Sequence, residues 1–224
     1  MDQQTTVATV EHSNWIAKAF VDGGPAMFFI AVVGLLVLFL IVERFITLAR
    51  LVINKEELND KLFAILLRGD LRQAIAYCDS RPAPLTNVMK SGLVQVLNNR
   101  PDEEVQVAMD GSVLRETPRI EGWTGFLAVF GNVATLIGLL GTIVGLIISF
   151  GGVSEADPAQ KAAELSAGIS HALNCTAFGL IVAIPSLVAF GYFQVKIGRA
   201  INDMVESSMT LMNLVVANRE KFKN

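Results

Sequence analysis

Charge is scarce in this chain, and three long stretches have none. Only 17% of the 224 residues are Asp, Glu, Lys or Arg, against about 25% in an ordinary soluble domain. Residues 23–42, 122–154 and 165–195 contain none of the four. About 20 helical residues cross a bilayer core roughly 30 Å thick. The first run just spans it. The other two exceed it, so their helices should tilt or project beyond the membrane. Cysteine is nearly missing too, with only Cys78 and Cys175, the latter inside the third run. That argues against a disulfide framework and a cysteine-based zinc site. No carboxylate lies in any run, which argues against an intramembrane aspartyl or zinc protease. A channel handling protons would need its titratable carboxylate from another chain. Net charge is −3, so nothing points to nucleic acid. A signal peptide fits poorly. Lys18 stands among Asp2, Glu11 and Asp22, and the first run ends on Glu43-Arg44 without a small-residue cleavage site, so it reads as a retained anchor.

What remains is helical and asymmetric. Sixteen of the eighteen Lys and Arg fall in residues 44–121 or after 195. Cytoplasmic segments carry that excess, so the N-terminus is expected outside and the C-terminus inside. The fold class is an all-α integral membrane protein, three transmembrane helices extending into a cytoplasmic helical region. The expected organisation is an outside segment 1–25, a first span 26–48, a cytoplasmic region 49–121 and a second span 122–150. An outside loop 151–164, a third span 165–195 and a cytoplasmic helix 196–224 complete it. In the outside segment Trp15, Ile16, Ala19 and Phe20 form an apolar stripe. Helices are expected over 55–67, 71–78 and 85–98, with a turn at Gly69-Asp70 and a linker at Arg81–Pro84. Another helix should start at Pro101-Asp102-Glu103-Glu104, where Pro and acids suit a first turn, and Pro118 should be able to kink it. Gly151-Gly152 and Asp157-Pro158 read as breakers.

The second span carries two lines of residues. Thr135, Thr142 and Ser149 recur every seven positions, and Gly131, Gly138 and Gly145 keep the same step. A step of seven returns to nearly the same helix face. Gly141 and Gly145 form a small-xxx-small pair, as do Gly138 and Thr142, which permits close helix approach. The plain alternative is that the glycines only pack and each hydroxyl bonds the carbonyl four residues back. In the third span, Ala172, Thr176, Gly179, Ala183 and Ser186 lie within roughly 80° on a helical wheel, a small and slightly polar face. Ser166, Ser170 and Asn174 step by four on another, with His171 nearby. Thr142 and Thr176 lie at similar depth from the outer ends, so antiparallel spans can bring their hydroxyls together. Pro185 should open the local hydrogen-bond ladder. An intramembrane His is a functional candidate by default, the alternative for His171 being an interfacial or helix-bonding role. His171 and Cys175 share i,i+4 spacing, but two ligands do not make a zinc site. No metal or cofactor is expected, and no nucleophile–base constellation suggests an enzyme.

These segments closely resemble the MotA/TolQ/ExbB family. The residues that carry the resemblance are Gly138-Leu139-Leu140-Gly141-Thr142, Val144-Gly145 and Phe150 in the second span. In the third they are Gly168 through Leu173, Thr176-Ala177, Gly179-Leu180 and Ala183-Ile184-Pro185. Val42-Glu43-Arg44 and Gly69-Asp70-Leu71 add to them. Three spans match the TolQ/ExbB branch better than the four-span flagellar branch. The resemblance implies a bacterial inner-membrane protein with a periplasmic N-terminus and a cytoplasmic C-terminus. It implies a homopentamer around two copies of a single-span ExbD/TolR/MotB-like partner, which supplies the missing membrane Asp. Thr142 and Thr176 match the family's pore threonines. Ion flow would turn the pentamer and do work elsewhere in the envelope.

On this reading Thr135, Thr142, Thr176, Ser149, His171 and Asn174 belong to the ion path. Gly138, Gly141, Gly145, Gly179 and Pro185 belong to helix packing. Glu43 and Arg44 set the cytoplasmic end of the first span, as an intersubunit ion pair or as a solvated interface anchor. Two departures from the family pattern stand out. His171 stands where ExbB-type members often carry Glu, so that role is not transferred. Thr135 replaces a frequent Pro and adds a hydroxyl. The extra hydroxyls, with Asn174 and Cys175 beside Thr176, keep sodium open as the coupling ion, protons being the first expectation. A passive membrane scaffold and an autonomous transporter are the rival readings.

Overall fold

The structure, a computed structural model, describes residues 24–155 and 161–222. Seven helices follow in order: α1 (Gly24–Leu51), α2 (Lys55–Leu67), α3 (Leu71–Ser80), α4 (Pro84–Leu97), α5 (Asp102–Glu121), α6 (Thr124–Glu155) and α7 (Lys161–Ala217). A 3-10 turn, Arg219–Phe222, is the last described element, and the described residues include no strand. The outside segment with its apolar stripe, and Asp157-Pro158, lie outside the described residues. The fold is all-α, as expected. Three helical stretches, Gly24–Leu67, Asp102–Gly152 and Lys161–Ala217, are long and apolar enough to cross a membrane.

The chain forms two compact units. Of the described residues, the first draws on 24–41, 125–155 and 161–190, the second on 42–124 and 191–222. In the first unit, α6 buries Leu127, Gly131, Ala134, Gly138, Gly141 and Gly145. Their alternating steps of four and three make the 3.5-residue repeat of a seam between two long helices. On α7, Ala172, Cys175, Gly179, Ala183 and Ser186 are buried, and α1 turns Met27, Ile30, Val33, Val37 and Leu40 inward. The outward faces stay apolar: Phe28, Leu35, Leu136, Ile147 and Val188 are each more than half exposed. Exposed apolar surface on that scale suits lipid or protein neighbours, not water.

In the second unit, local chemistry sets the helix ends. The Asn54 side chain accepts from the Glu56 and Glu57 amides at 3.0 and 3.4 Å and caps α2. Caps of this kind satisfy donors that the first turn leaves free. Gly69 ends α2 at φ +85°, a backbone state that glycine takes without a Cβ penalty. Asp70 then caps α3 by accepting from the Gln73 amide at 2.8 Å. Pro84 takes the first position of α4, and Asp102, Glu103 and Glu104 occupy the first turn of α5, at the positive end of its dipole. Leu62, Leu66, Ala74, Val88, Met89, Leu93, Val105 and Met109 are fully buried. Helices α4 and α5 approach so closely at Gly92 that a Cβ there would lie 2.6 Å from the Met109 sulfur.

One expected break is absent, and helix also continues past a residue able to kink it. α5 runs through Pro118 and ends at Glu121, before Gly122 at φ +44°. α6 continues through Gly151-Gly152 to Glu155, and α7 already begins at Lys161, so helix occupies both ends of the expected 151–164 loop. A helical glycine costs about 1 kcal/mol relative to Ala. A helix already about seven turns long absorbs that penalty.

Cys78 is buried, and burial pushes its thiol up to about 11 from an ordinary 9.0. At pH 8 it should hold about a hundredfold less thiolate than a free cysteine. Alkylation by N-ethylmaleimide, mapped by peptide mass spectrometry, should therefore leave Cys78 unlabelled in the native protein and label it in urea. The folded thiol keeps its proton longer than the unfolded one. Its stabilising contribution should accordingly fade as pH rises from about 9 towards 11.

Candidate functional site

The seam of the first unit is built from backbone contact. Gly131, Gly138 and Gly145 on α6 face Ser186, Gly179 and Ala172 on α7, so seven residues forward on one helix match seven backward on the other. A Cβ on Gly138 would lie 2.9 Å from the Cys175 carbonyl oxygen, and one on Gly179 would lie 2.8 Å from the Ala134 carbonyl oxygen. Gly145 stands 3.2 Å from the Ala172 methyl by the same measure, and Gly131 stands 3.3 Å from the Ser186 Cβ. Gly141 is filled on its other side by Cys175 and Ala26, at 2.9 and 3.1 Å. Small residues at these points let two backbones touch, which lets side chains at the seam's flank reach across.

Thr142 and Thr176 do so. Their hydroxyl oxygens are hydrogen-bonded to each other. Two carbonyls complete the group: Gly138, 3.1 Å from Thr142 Oγ1 and 3.3 Å from Thr176 Oγ1, and Ala172, 3.0 Å from Thr142 Oγ1. Two hydroxyls carry two protons, and each hydroxyl both donates and accepts. One proton joins the pair, and the other goes to a carbonyl. Thr142 can donate to Thr176 while Thr176 donates to Gly138. With the order reversed, Thr176 donates to Thr142 and Thr142 to Ala172. The oxygens already stand within reach for both directions.

The other expected path residues behave differently. Thr135 donates to its own i−4 carbonyl, Gly131, at 3.2 Å, and Ser149 donates to Gly145 at 2.7 Å. Back-bonding of this sort is the plain reading weighed for all three hydroxyls, and it accounts for both of these. Only Thr142 adds a bond across the seam. Ser149 is also enclosed by Gly168, where a Cβ would collide with its hydroxyl. His171 packs its ring on Gly24, 3.1 Å from where a Cβ would stand there, and its Nδ1 is buried without a hydrogen-bond partner among the described residues. Asn174 is half-buried. Pro185 sits inside an uninterrupted α7.

Two features had escaped the sequence reading. Ser186, next to Pro185, is fully buried and donates to the Leu127 carbonyl on α6 at 2.6 Å, a third polar tie along the seam. In the second unit Arg44 is only 4% exposed. Its Nε and Nη2 bind the two Glu43 carboxylate oxygens at 2.5 and 2.7 Å, and the Thr47 hydroxyl donates to the same carboxylate at 2.8 Å. Arg44 Nη1 reaches the Glu121 carbonyl at 3.5 Å. A Cβ on Gly122 would lie 1.9 Å from that nitrogen. Within this chain the two side chains pair with each other, and Arg44 is buried. The signal lay in Gly122-Trp123 after a charged helix end.

Residues 80–206 match the family model of the MotA/TolQ/ExbB proton channel family. The Tol-Pal system protein TolQ of Pseudomonas aeruginosa is 29% identical over 139 residues, 57% of this chain and 60% of that protein. The biopolymer transport protein ExbB of Pseudomonas putida is 31% identical over 50% of this chain and 34% of its own length. The chain thus spans 60% or less of these two relatives. The putative biopolymer transport protein ExbB-like 3 of Synechocystis is 31% identical over 72% of this chain and 76% of that one. Among solved structures, C. jejuni MotAB superimposes with a TM-score of 0.58 at 18% identity, covering 99% of this chain and 91% of that one. The likeness is one of fold.

The seam predicts a graded response to a single methyl group. Gly138→Ala and Gly179→Ala should each lower thermal stability in detergent by about 1–3 kcal/mol, the usual cost of overpacking. Gly191→Ala, in the same helix as Gly179 but with open space around it, should leave the melting temperature unchanged or slightly raised. Circular dichroism melts of the three variants check this.

Proposed function

The chain belongs to the MotA/TolQ/ExbB proton channel family, and from that premise we propose that it is the channel-forming subunit of an inner-membrane, proton-driven motor. In this reading it assembles as a homopentamer around two copies of a single-span ExbD/TolR/MotB-like protein, with its N-terminus in the periplasm and its C-terminus in the cytoplasm. The observation that carries it is the Thr142–Thr176 hydroxyl pair, bonded across the seam with two carbonyls in reach. An ionised carboxylate in hydrocarbon is costly unless a donor meets it. A hydroxyl pair that reverses its donor direction can meet the partner's Asp both ionised, by donating, and protonated, by accepting. The chain offers no carboxylate of its own in its three uncharged runs, so the partner supplies one. Turning of the pentamer as the ion passes would transmit work to the envelope. TolQ of the Tol-Pal system and the ExbB biopolymer transport proteins indicate the kinds of process served.

Sodium coupling is the second reading, and the same four oxygens favour it, since sodium is held by oxygen ligands. The hydroxyl pair bonded to itself favours the proton. The two readings separate in proteoliposomes carrying the chain with its copurified partner. Under the proton reading, flux follows the pH gradient and is indifferent to replacing sodium with potassium.

Thr142→Val and Thr176→Val should assemble normally and lower ion flux about tenfold or more, the kinetic equivalent of one lost hydrogen bond of about 1.4 kcal/mol. Each substitution breaks the same bond, so the double variant should lose little beyond either single one. Full flux in either assembled variant counts against the pore role and towards a passive scaffold. Flux by the chain without any partner would identify an autonomous transporter.

A further inference from the structure

The second unit contains a cavity of about 430 Å³ that the ion path does not use. Three connecting segments meet at it: the α2–α3 turn, the α4–α5 turn at Asn99, and the 3-10 turn at Phe222. Its size falls in the range of about 300–1,000 Å³ typical of small-molecule sites. Two arginines line it, Arg68 at the end of α2 and Arg72 in the first turn of α3.

Arg68, at the C-terminal end of α2, sits where a helix dipole favours a cation, and Arg72 sits where it does not. A cation in a helix's first turn meets the positive end of the dipole, and two cations share one opening. Neither guanidinium forms an ion pair or side-chain hydrogen bond with a described residue. In the same unit Arg81, Arg100, Arg119 and Arg219 are each matched to a carboxylate, while Arg50, Arg115 and Arg199 form no ion pair with a described residue either, so what sets Arg68 and Arg72 apart is that they line one cavity. Asp70, the acid on the lining, is turned to cap α3. Opposite the charges, Leu71 and Phe222 are less than a tenth exposed and form an apolar floor. Guanidinium forks suit the tetrahedral oxygens of phosphate. The leading amides of α3 would add donors of the right sign.

We propose that this cavity binds a phosphorylated small molecule, its phosphoryl group held by Arg68 and Arg72 and its apolar portion against Leu71 and Phe222. The occupant supplies the anion that neither guanidinium finds among the described residues. It also adds a link among three chain segments that already touch, through Arg219 on the Arg100 carbonyl and Asp102 and through Gly69 beside the Lys221 carbonyl. The proposal is independent of the ion-path reading.

The test is calorimetric titration of the purified full-length complex with inorganic pyrophosphate at constant ionic strength. Both arginines are exposed, so an Arg68→Gln, Arg72→Gln double variant should fold normally, as its melting curve checks. Saturable binding that weakens at least tenfold in the double variant is the expected result. No saturable binding to the wild type, or equal affinity in the folded double variant, overturns the proposal. A second arm compares nanodiscs of phosphatidylglycerol and phosphatidylcholine. Equal pyrophosphate affinity in both marks a free metabolite as the source. Arginine-dependent competition by phosphatidylglycerol keeps the phosphoryl site and assigns it to a lipid headgroup.

Discussion

Contact between two helix backbones governs the first unit. Lipid supplies little hydrophobic drive for helix pairing, so close packing and hydrogen bonds must hold the helices together. Gly131, Gly138 and Gly145 against Ser186, Gly179 and Ala172 leave no side chain thick enough to separate α6 from α7. Given that approach, the Thr142 and Thr176 hydroxyls reach each other as well as the Gly138 and Ala172 carbonyls. Ser186 reaches the Leu127 carbonyl for the same reason. Packing and polar chemistry here share one cause. A bulkier residue at Gly138 would push apart the very oxygens on which the ion-path reading rests.

Arg44 shows the opposite arrangement. A buried guanidinium needs both a counter-charge and full hydrogen bonding. Glu43, Thr47 and the Glu121 carbonyl surround it. The neighbouring Gly122 admits it because a side chain there would occupy its place. The α5–α6 joint is thus shaped by one cation, where the seam is shaped by missing side chains.

Much of this was legible from residue spacing. The helix over 55–67, the turn at Gly69 and the start at Pro101–Glu104 follow from local capping chemistry that acts within a few residues. The meeting of Thr142 with Thr176 followed from counting depth along two antiparallel spans. What escaped depends on long-range placement. Ser186 resembles any small polar residue until α6 is set beside it, and Arg44 resembles an interface anchor until Gly122 is folded against it. Gly151-Gly152 carries a local penalty that a long helix outweighs, so the expected break there did not occur. His171 was singled out as titratable, yet its ring contact with Gly24 depends on where α1 begins.

The matched seven-residue steps also limit how α6 can change in length. A single inserted residue would rotate everything beyond it by about 100° and turn glycine positions into leucine positions at the contact. Two turns of helix are the smallest insertion that restores the facing. Drift in the number of residues, ordinarily the cheapest variation a loop or surface helix undergoes, is therefore closed to this segment. Lengthening for a thicker bilayer would have to add a whole heptad to both helices at once.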